Sequence, residues 1–262
     1  MKTSPIVIGH RGASALVPEN TLASFQTALI DHQAPMIEFD VHLSKEGVPV
    51  IIHDATLERT TSGKGFVSHF ALRELKQLDA GFRFDPDKTG KFPFRGKGLT
   101  IPTLEEVLTS FPGHELSVEI KERSAAITHA VMALIKKHKS ESRCIVGSKY
   151  SIVSKTMRDC YPHTRRFISQ NEIVMSYFEF KRNASKPAKD SKAVASMPLE
   201  KCGLLFDHVD FIRFLHQKEM TVFYWTINSA EQILDLAEKS ADGIITDNPK
   251  NALAILNEAQ SS

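Results

Sequence analysis

Short apolar runs alternate with helix-like stretches along most of this chain, and that alternation limits what it can fold into more than any other feature. Candidate strands lie at 5–10, 36–40, 116–121, 143–148, 165–169, 193–197, 221–226 and 242–246. Ile6-Val7-Ile8 is typical: a short apolar run suited to a strand covered on both faces. Helical spacing predicts Ile127–His138, Ile152–Asp159, Val209–Gln217 and Ala230–Glu238 between them. Leu22, Phe25, Ala28 and Leu29 repeat at the same period after Asn20, which reads as an N-cap, and Thr21, which reads as sharing the capping. Eight strands with crossovers in 262 residues suit an α/β fold, a (β/α)8 TIM barrel filling one domain, 1–262. A doubly wound sheet fits the alternation too, but without a Gly-rich phosphate loop it ranks second.

One segment interrupts the pattern. Residues 54–100 contain "TTSGKGF" and "GFRFDPDKTGKFPFRGKG" and read as an insertion after the second strand with little regular structure. The segment ends before a capping box, with Thr103 as N-cap and Glu106 at its third position. Residues 181–192, "KRNASKPAKDSK", read as a second polar loop.

Composition excludes several classes of partner. Lys and Arg total 33 against 31 Asp and Glu, which argues against a nucleic-acid surface. No apolar run approaches the roughly 18 residues of a membrane span. Cys144, Cys160 and Cys202 are widely spaced and suit neither a disulfide framework nor a zinc site. "MKTSP" leads straight into the first strand, with no space for a signal peptide. A cytoplasmic protein with reduced thiols is the expectation.

The chemistry gathers at strand ends, where α/β folds bind ligands. His10 and Arg11 close the first strand. Glu38 and Asp40 share one face of the second, because strand side chains repeat every two residues. "VHLSKEGVPVIIHD" reads as a hairpin turning at Glu46-Gly47. A two-residue turn there sets Asp40 opposite His53, about 5 Å away between Cβ atoms. Glu119 and Lys121 share a face of the third strand. Three carboxylates without cysteine suit one hard divalent cation, Mg2+ or Ca2+. Arg11 and Lys121 add positive charge for an anionic substrate. Two histidines beside such a site suggest proton transfer in phosphate-ester cleavage. His42 shares the Asp40 face and reads as a hairpin side chain.

The motifs "HRGA…PENT", "EFDVHLSKEG", "VPVIIHDATLERTT", "IPTLEEVL", "VEIK", "YWTIN" and "ADGIITDNP" resemble those of glycerophosphodiester phosphodiesterases, in order and across nearly the whole chain. The resemblance implies a TIM barrel, a divalent metal and hydrolysis of a small glycerophosphodiester to sn-glycerol 3-phosphate and an alcohol. It implies His10 and His53 as the acid–base pair and Glu38, Asp40 and Glu119 as metal ligands. It implies Arg11 and Lys121 as phosphate contacts and Trp225, the only Trp, as an aromatic pocket wall. Ser148-Lys149-Tyr150 departs from the run usual after the fourth strand. Phospholipase D-type cleavage of lysophospholipids, with the same residues, is the nearest alternative. A non-catalytic phosphate-ester binder is expected only where a histidine or metal ligand is missing, and each is present.

Overall fold

The structure, a computed structural model, describes residues 4–182 and 188–261. Eight parallel strands close into a barrel. They are β1 (Ile6–His10), β2 (Met36–Leu43), β4 (Glu115–Ile120), β5 (Cys144–Gly147), β6 (Arg165–Phe167), β7 (Ala193–Met197), β10 (Thr221–Tyr224) and β11 (Gly243–Thr246). Their order is β1-β11-β10-β7-β6-β5-β4-β2, and β1–β2 pairing closes the ring. Each expected strand position holds one of them. β3 (Pro49–Ile51) returns antiparallel along β2, and β8 (Glu200–Lys201) and β9 (Leu204–Leu205) form a small hairpin after β7.

The helices are α1 (Leu22–Gln26), α2 (Leu72–Leu75), α3 (Leu104–Ser110), α4 (Ala125–Lys137), α5 (Ser151–Cys160), α6 (Gln170–Lys181), α7 (Val209–Gln217), α8 (Ala230–Glu238) and α9 (Pro249–Ser261). The four helices expected from spacing match α4, α5, α7 and α8 to within two residues at each end. Thr103 and Glu106 form the expected capping box of α3. Asn20 is not the N-cap of α1. Thr21 is, accepting from the Ser24 backbone N–H, while Asn20 sits at φ 57° with its amide turned to Asp40.

Burial follows the pleat. Ile8, Met36, Ile145, Phe167, Val194, Phe223 and Ile245 fill the barrel interior. Outward-facing residues such as Ile37, Phe39 and Val118 pack against the helices with Phe25, Val107 and Val131. Inward residues of β2 begin with Met36, so a period of two brings Glu38 and Asp40 to the same interior, nearer the carboxyl end. The barrel floor is thus apolar and its mouth charged.

The insertion carries only a 3-10 turn at Val67–His69 and the short α2. Val50, Ile52, Leu57, Val67, Leu75 and Ile101 make a separate apolar cluster that fixes it to β3. Phe84 packs edge-on to Phe94, and Arg95 stacks on Phe82 and Phe92. Of the second polar loop, residues 183–187 lie outside the described residues. Among the described residues, no helix is long and apolar enough to cross a membrane.

Candidate active site

His10, Arg11, Glu38, His53, Glu119 and Lys121 line one cavity of about 350 Å3 at the mouth of the barrel, and Trp225 lines it too. The parallel ladders explain the grouping: His10 pairs with Glu38, and Asp40 with Glu119.

His53 arrives by a different route from the one spacing predicts. The hairpin register is Val41 with Ile51, His42 with Val50 and Leu43 with Pro49, so Asp40 does not lie opposite His53. The loop has three residues, not two. The Ser44 N–H donates to the Val48 carbonyl, and Gly47 takes a φ of +80° that glycine alone adopts without cost. The slip would aim His53 away from the barrel if the strand continued. The ladder instead ends at Ile51, and the chain bends to bring His53 into the cavity. His42 supports the bend: its Nε2 lies 3.2 Å from the His53 carbonyl oxygen.

Each site histidine is held by a carboxylate. His10 Nδ1 donates to Asp247 Oδ1 at 2.6 Å, and His53 Nδ1 donates to Asp54 Oδ1 at 2.6 Å. A carboxylate oxygen accepts, so both rings keep the proton on Nδ1 and leave Nε2 for a ligand. Ser14 and Asn228 donate to Asp247 and fix it in turn. Burial draws the His10 pKa down, but the Asp247 hydrogen bond, with Glu38 adding to it where that carboxyl is ionised, outweighs it and raises it. For His53 burial prevails and its pKa falls, although the Asp40 charge opposes this.

Glu38, Asp40 and Glu119 each bring a carboxylate oxygen within 4.8 Å of the others. Glu38 is pushed up to about 8 by burial and by the Asp40 charge. Asp40 is also buried, which would raise it, but Lys121 and Arg11 hold it down to about 2. Lys121 Nζ lies 2.9 Å from Asp40 Oδ1 and 2.8 Å from Glu119 Oε2. Among the described residues, Asp40 Oδ1 nevertheless accepts no well-aligned hydrogen bond. Converging buried carboxylates, one driven neutral and one with an underused oxygen, fit a hard divalent cation with oxygen ligands.

Arg11 sits at φ 55°, a strained conformation for a residue with a side chain. Its backbone N–H donates to Glu38 Oε2 at 3.2 Å, its Nη1 to Glu19 Oε1 at 2.8 Å, and its Nε lies 3.2 Å from Asp40 Oδ2. Asn20 Nδ2 donates to Asp40 Oδ2 at 2.8 Å. Every site residue expected from the sequence therefore falls in this one region. Spacing missed Glu19, Asp54, Asp247 and the side-chain role of Asn20. Only closure of the barrel gives a signal for Asp247, since Gly9 pairs with Thr246 and their successors are His10 and Asp247.

Away from the charged cluster the cavity has an apolar face of Phe167, Ile168, Ile173, Val174 and Phe206, with polar Gln170, Ser196 and Lys201 in the same lining. Ser148 and Lys149, from the departing run, also line it.

The model of the glycerophosphoryl diester phosphodiesterase family matches residues 10–251. A glycerophosphodiester phosphodiesterase of Caldanaerobacter subterraneus subsp. tengcongensis is 31% identical, over 98% of this chain and 98% of its own. A glycerophosphoryl diester phosphodiesterase domain from Mycobacterium tuberculosis shares the fold with a TM-score of 0.83 at 21% identity, covering 96% of this chain and 99% of that one. An Oleispira antarctica phosphodiesterase, solved with the product sn-glycerol-3-phosphate, has a TM-score of 0.75 at 26% identity, covering 97% of each chain.

Proposed function

The chain belongs to the glycerophosphoryl diester phosphodiesterase family, and on that premise we propose that it hydrolyses glycerophosphodiesters to sn-glycerol 3-phosphate and an alcohol as a single catalytic domain. The observation that carries this reading is the pair of carboxylate-held histidines beside the buried cluster of Glu38, Asp40 and Glu119. Those three carboxylates would hold one Mg2+ or Ca2+, whose chemistry is to polarise a phosphoryl oxygen. Arg11 and Lys121 contact the phosphate, and Trp225 forms an aromatic wall for the organic part of the substrate.

The two histidines divide the proton transfers. His10, its pKa raised, keeps a proton near neutrality and donates it to the departing alcohol oxygen. His53, its pKa lowered, is neutral there and removes a proton from the nucleophile, either water or the glycerol hydroxyl beside the phosphate. Activity needs His53 neutral and His10 charged. With the cation saturating at every pH, the acid limb of the rate profile therefore falls below the ordinary 6.5 and the alkaline limb above it, a broader bell than two unperturbed histidines give. Loss of either ring lowers turnover by roughly 10²–10⁴-fold.

The test compares leaving groups in His10→Ala and His53→Ala. A nitrophenolate needs no acid, so it rescues His10→Ala and leaves His53→Ala slow. Equal behaviour of the two variants, or near wild-type turnover in both, overturns the assignment. The apolar face of the cavity favours a second reading, cleavage of lysophospholipids. Turnover of a lysophosphatidylcholine measured against glycerophosphocholine decides between them. A cytoplasmic setting belongs to this reading, supported by three unpaired cysteines among the described residues.

A further inference from the structure

One cation outside the expected site touches both of its halves. Arg59 lies in the insertion, six residues after His53. Its Nε donates to Asp54 Oδ2 at 2.6 Å, and its Nη1 and Nη2 donate to Glu19 Oε2 and Oε1 at 2.7 and 2.8 Å. Asp54 is the carboxylate that holds His53, and Glu19 is one of the carboxylates that hold Arg11, the one that takes its Nη1. A single planar guanidinium thus bridges the partner of the proposed base and a partner of the proposed phosphate contact. Lysine has no such fork.

The backbone carrying Arg59 is itself fixed. Thr61 N–H and Oγ1 both donate to the Leu57 carbonyl, at 3.1 and 2.7 Å, and the Leu57 N–H donates to Gly65 at 3.0 Å. Leu57 and Thr61 are buried, so this turn is anchored from beneath. The Arg59 side chain is 44% exposed and still makes three charge-assisted bonds. A surface arginine gains little from ion pairs alone.

We infer that Arg59 is a positioning residue: through Asp54 and Glu19 it locks the His53 ring in its Nδ1–H tautomer and aims Arg11 at the phosphate site. The inference rests on the reading of His53 and Arg11 given above. Misplacing reacting groups by about 1 Å costs on the order of 10²-fold in rate. Arg59→Ala should lower kcat for glycerophosphocholine about that much. Arg59→Lys should recover only part of the loss. Because Arg59 is reached from solvent, added guanidinium should restore Arg59→Ala by about tenfold or more, and leave Arg11→Ala unchanged. The Arg59→Ala, Asp54→Ala double variant should fall well short of the product of the two single losses, because the residues act as one unit.

A second readout needs no substrate. Nitrogen NMR of the histidine rings at slightly alkaline pH should find His53 as the Nδ1–H tautomer in wild type and as a mixture in Arg59→Ala. An unchanged tautomer in Arg59→Ala overturns the inference whatever the substrate. So does Arg59→Ala turnover within threefold of wild type, or a loss that guanidinium fails to restore. A tautomer change with no turnover of glycerophosphodiesters by wild type supports the positioning role and defeats the functional reading alone.

Discussion

Glu38 and Asp40 stand two residues apart on one strand face, both buried, and the cost of that repulsion falls on Glu38. With its pKa pushed up to about 8, Glu38 carries a proton at neutral pH in the metal-free protein, and a cation needs the carboxylate. Cation uptake at neutral pH should therefore release close to one proton. Affinity should weaken about tenfold per pH unit as pH falls below about 8. Calorimetry in two buffers of different ionisation enthalpy measures the proton directly, and no buffer dependence would contradict it. Glu119→Gln removes a carboxylate charge from the same cluster. It should abolish metal-dependent turnover while the thermal transition of the metal-free protein persists. Full activity of chelator-treated enzyme would remove the metal from the reading. The residues most legible in the sequence, His10, Glu38, Asp40 and Glu119, lie on strands, where a period of two states which way a side chain points. Glu19, Asp54 and Arg59 were not legible, because they sit in loops whose direction is set by hydrogen bonds to distant groups.

Elements were more readable than the joints between them. Strand positions followed from apolar runs, and α7 and α8 from helical spacing, because a helix or strand buried on the barrel has only one way to hide its apolar face. The β2–β3 hairpin shows where that logic stops. One extra loop residue, with Gly47 at positive φ, shifts the register by one. The apolar alternation of β3 alone does not distinguish the two registers, since all three of its residues are buried. The α3 cap, by contrast, is written in two side chains. Thr103 Oγ1 accepts the Glu106 N–H at 3.1 Å, and Glu106 Oε2 accepts the Thr103 N–H at 2.7 Å. Thr103→Ala should cost about 1 kcal/mol in urea unfolding, the usual worth of such a cap, with little change in kcat. A loss of activity at unchanged stability would mean that α3 steers the insertion and Arg59. Phe39 on β2 is fully buried against Phe25, and Phe39→Ala should cost about 3–5 kcal/mol in the same assay.

At the scale of the whole barrel, function depends on closure. His10 and Asp247 are 237 residues apart and make one of the two hydrogen bonds that orient the histidines. Neither end of the chain contains that contact alone, so the site and the global fold should open together. Cys144 reports on this opening. It starts β5, which pairs with β4 and β6, and its side chain is fully buried. Burial pushes its thiol up to about 12, so little thiolate forms while the barrel is closed. Cys160 and Cys202 are exposed. A disulfide reagent should therefore label two thiols at once and the third only when the central strands separate. In denaturant all three should react, with no prior reduction. Any ligand bound only by the folded state reduces the open fraction by 1 + [L]/Kd. At about a hundredfold excess of a divalent cation over its Kd, the third thiol should react about a hundredfold more slowly. In Glu119→Gln the same cation concentration should slow it far less. Immediate labelling of all three thiols would mean that β5 frays locally. A slow phase indifferent to the cation, with Glu119 intact, would mean that the carboxylate cluster binds none.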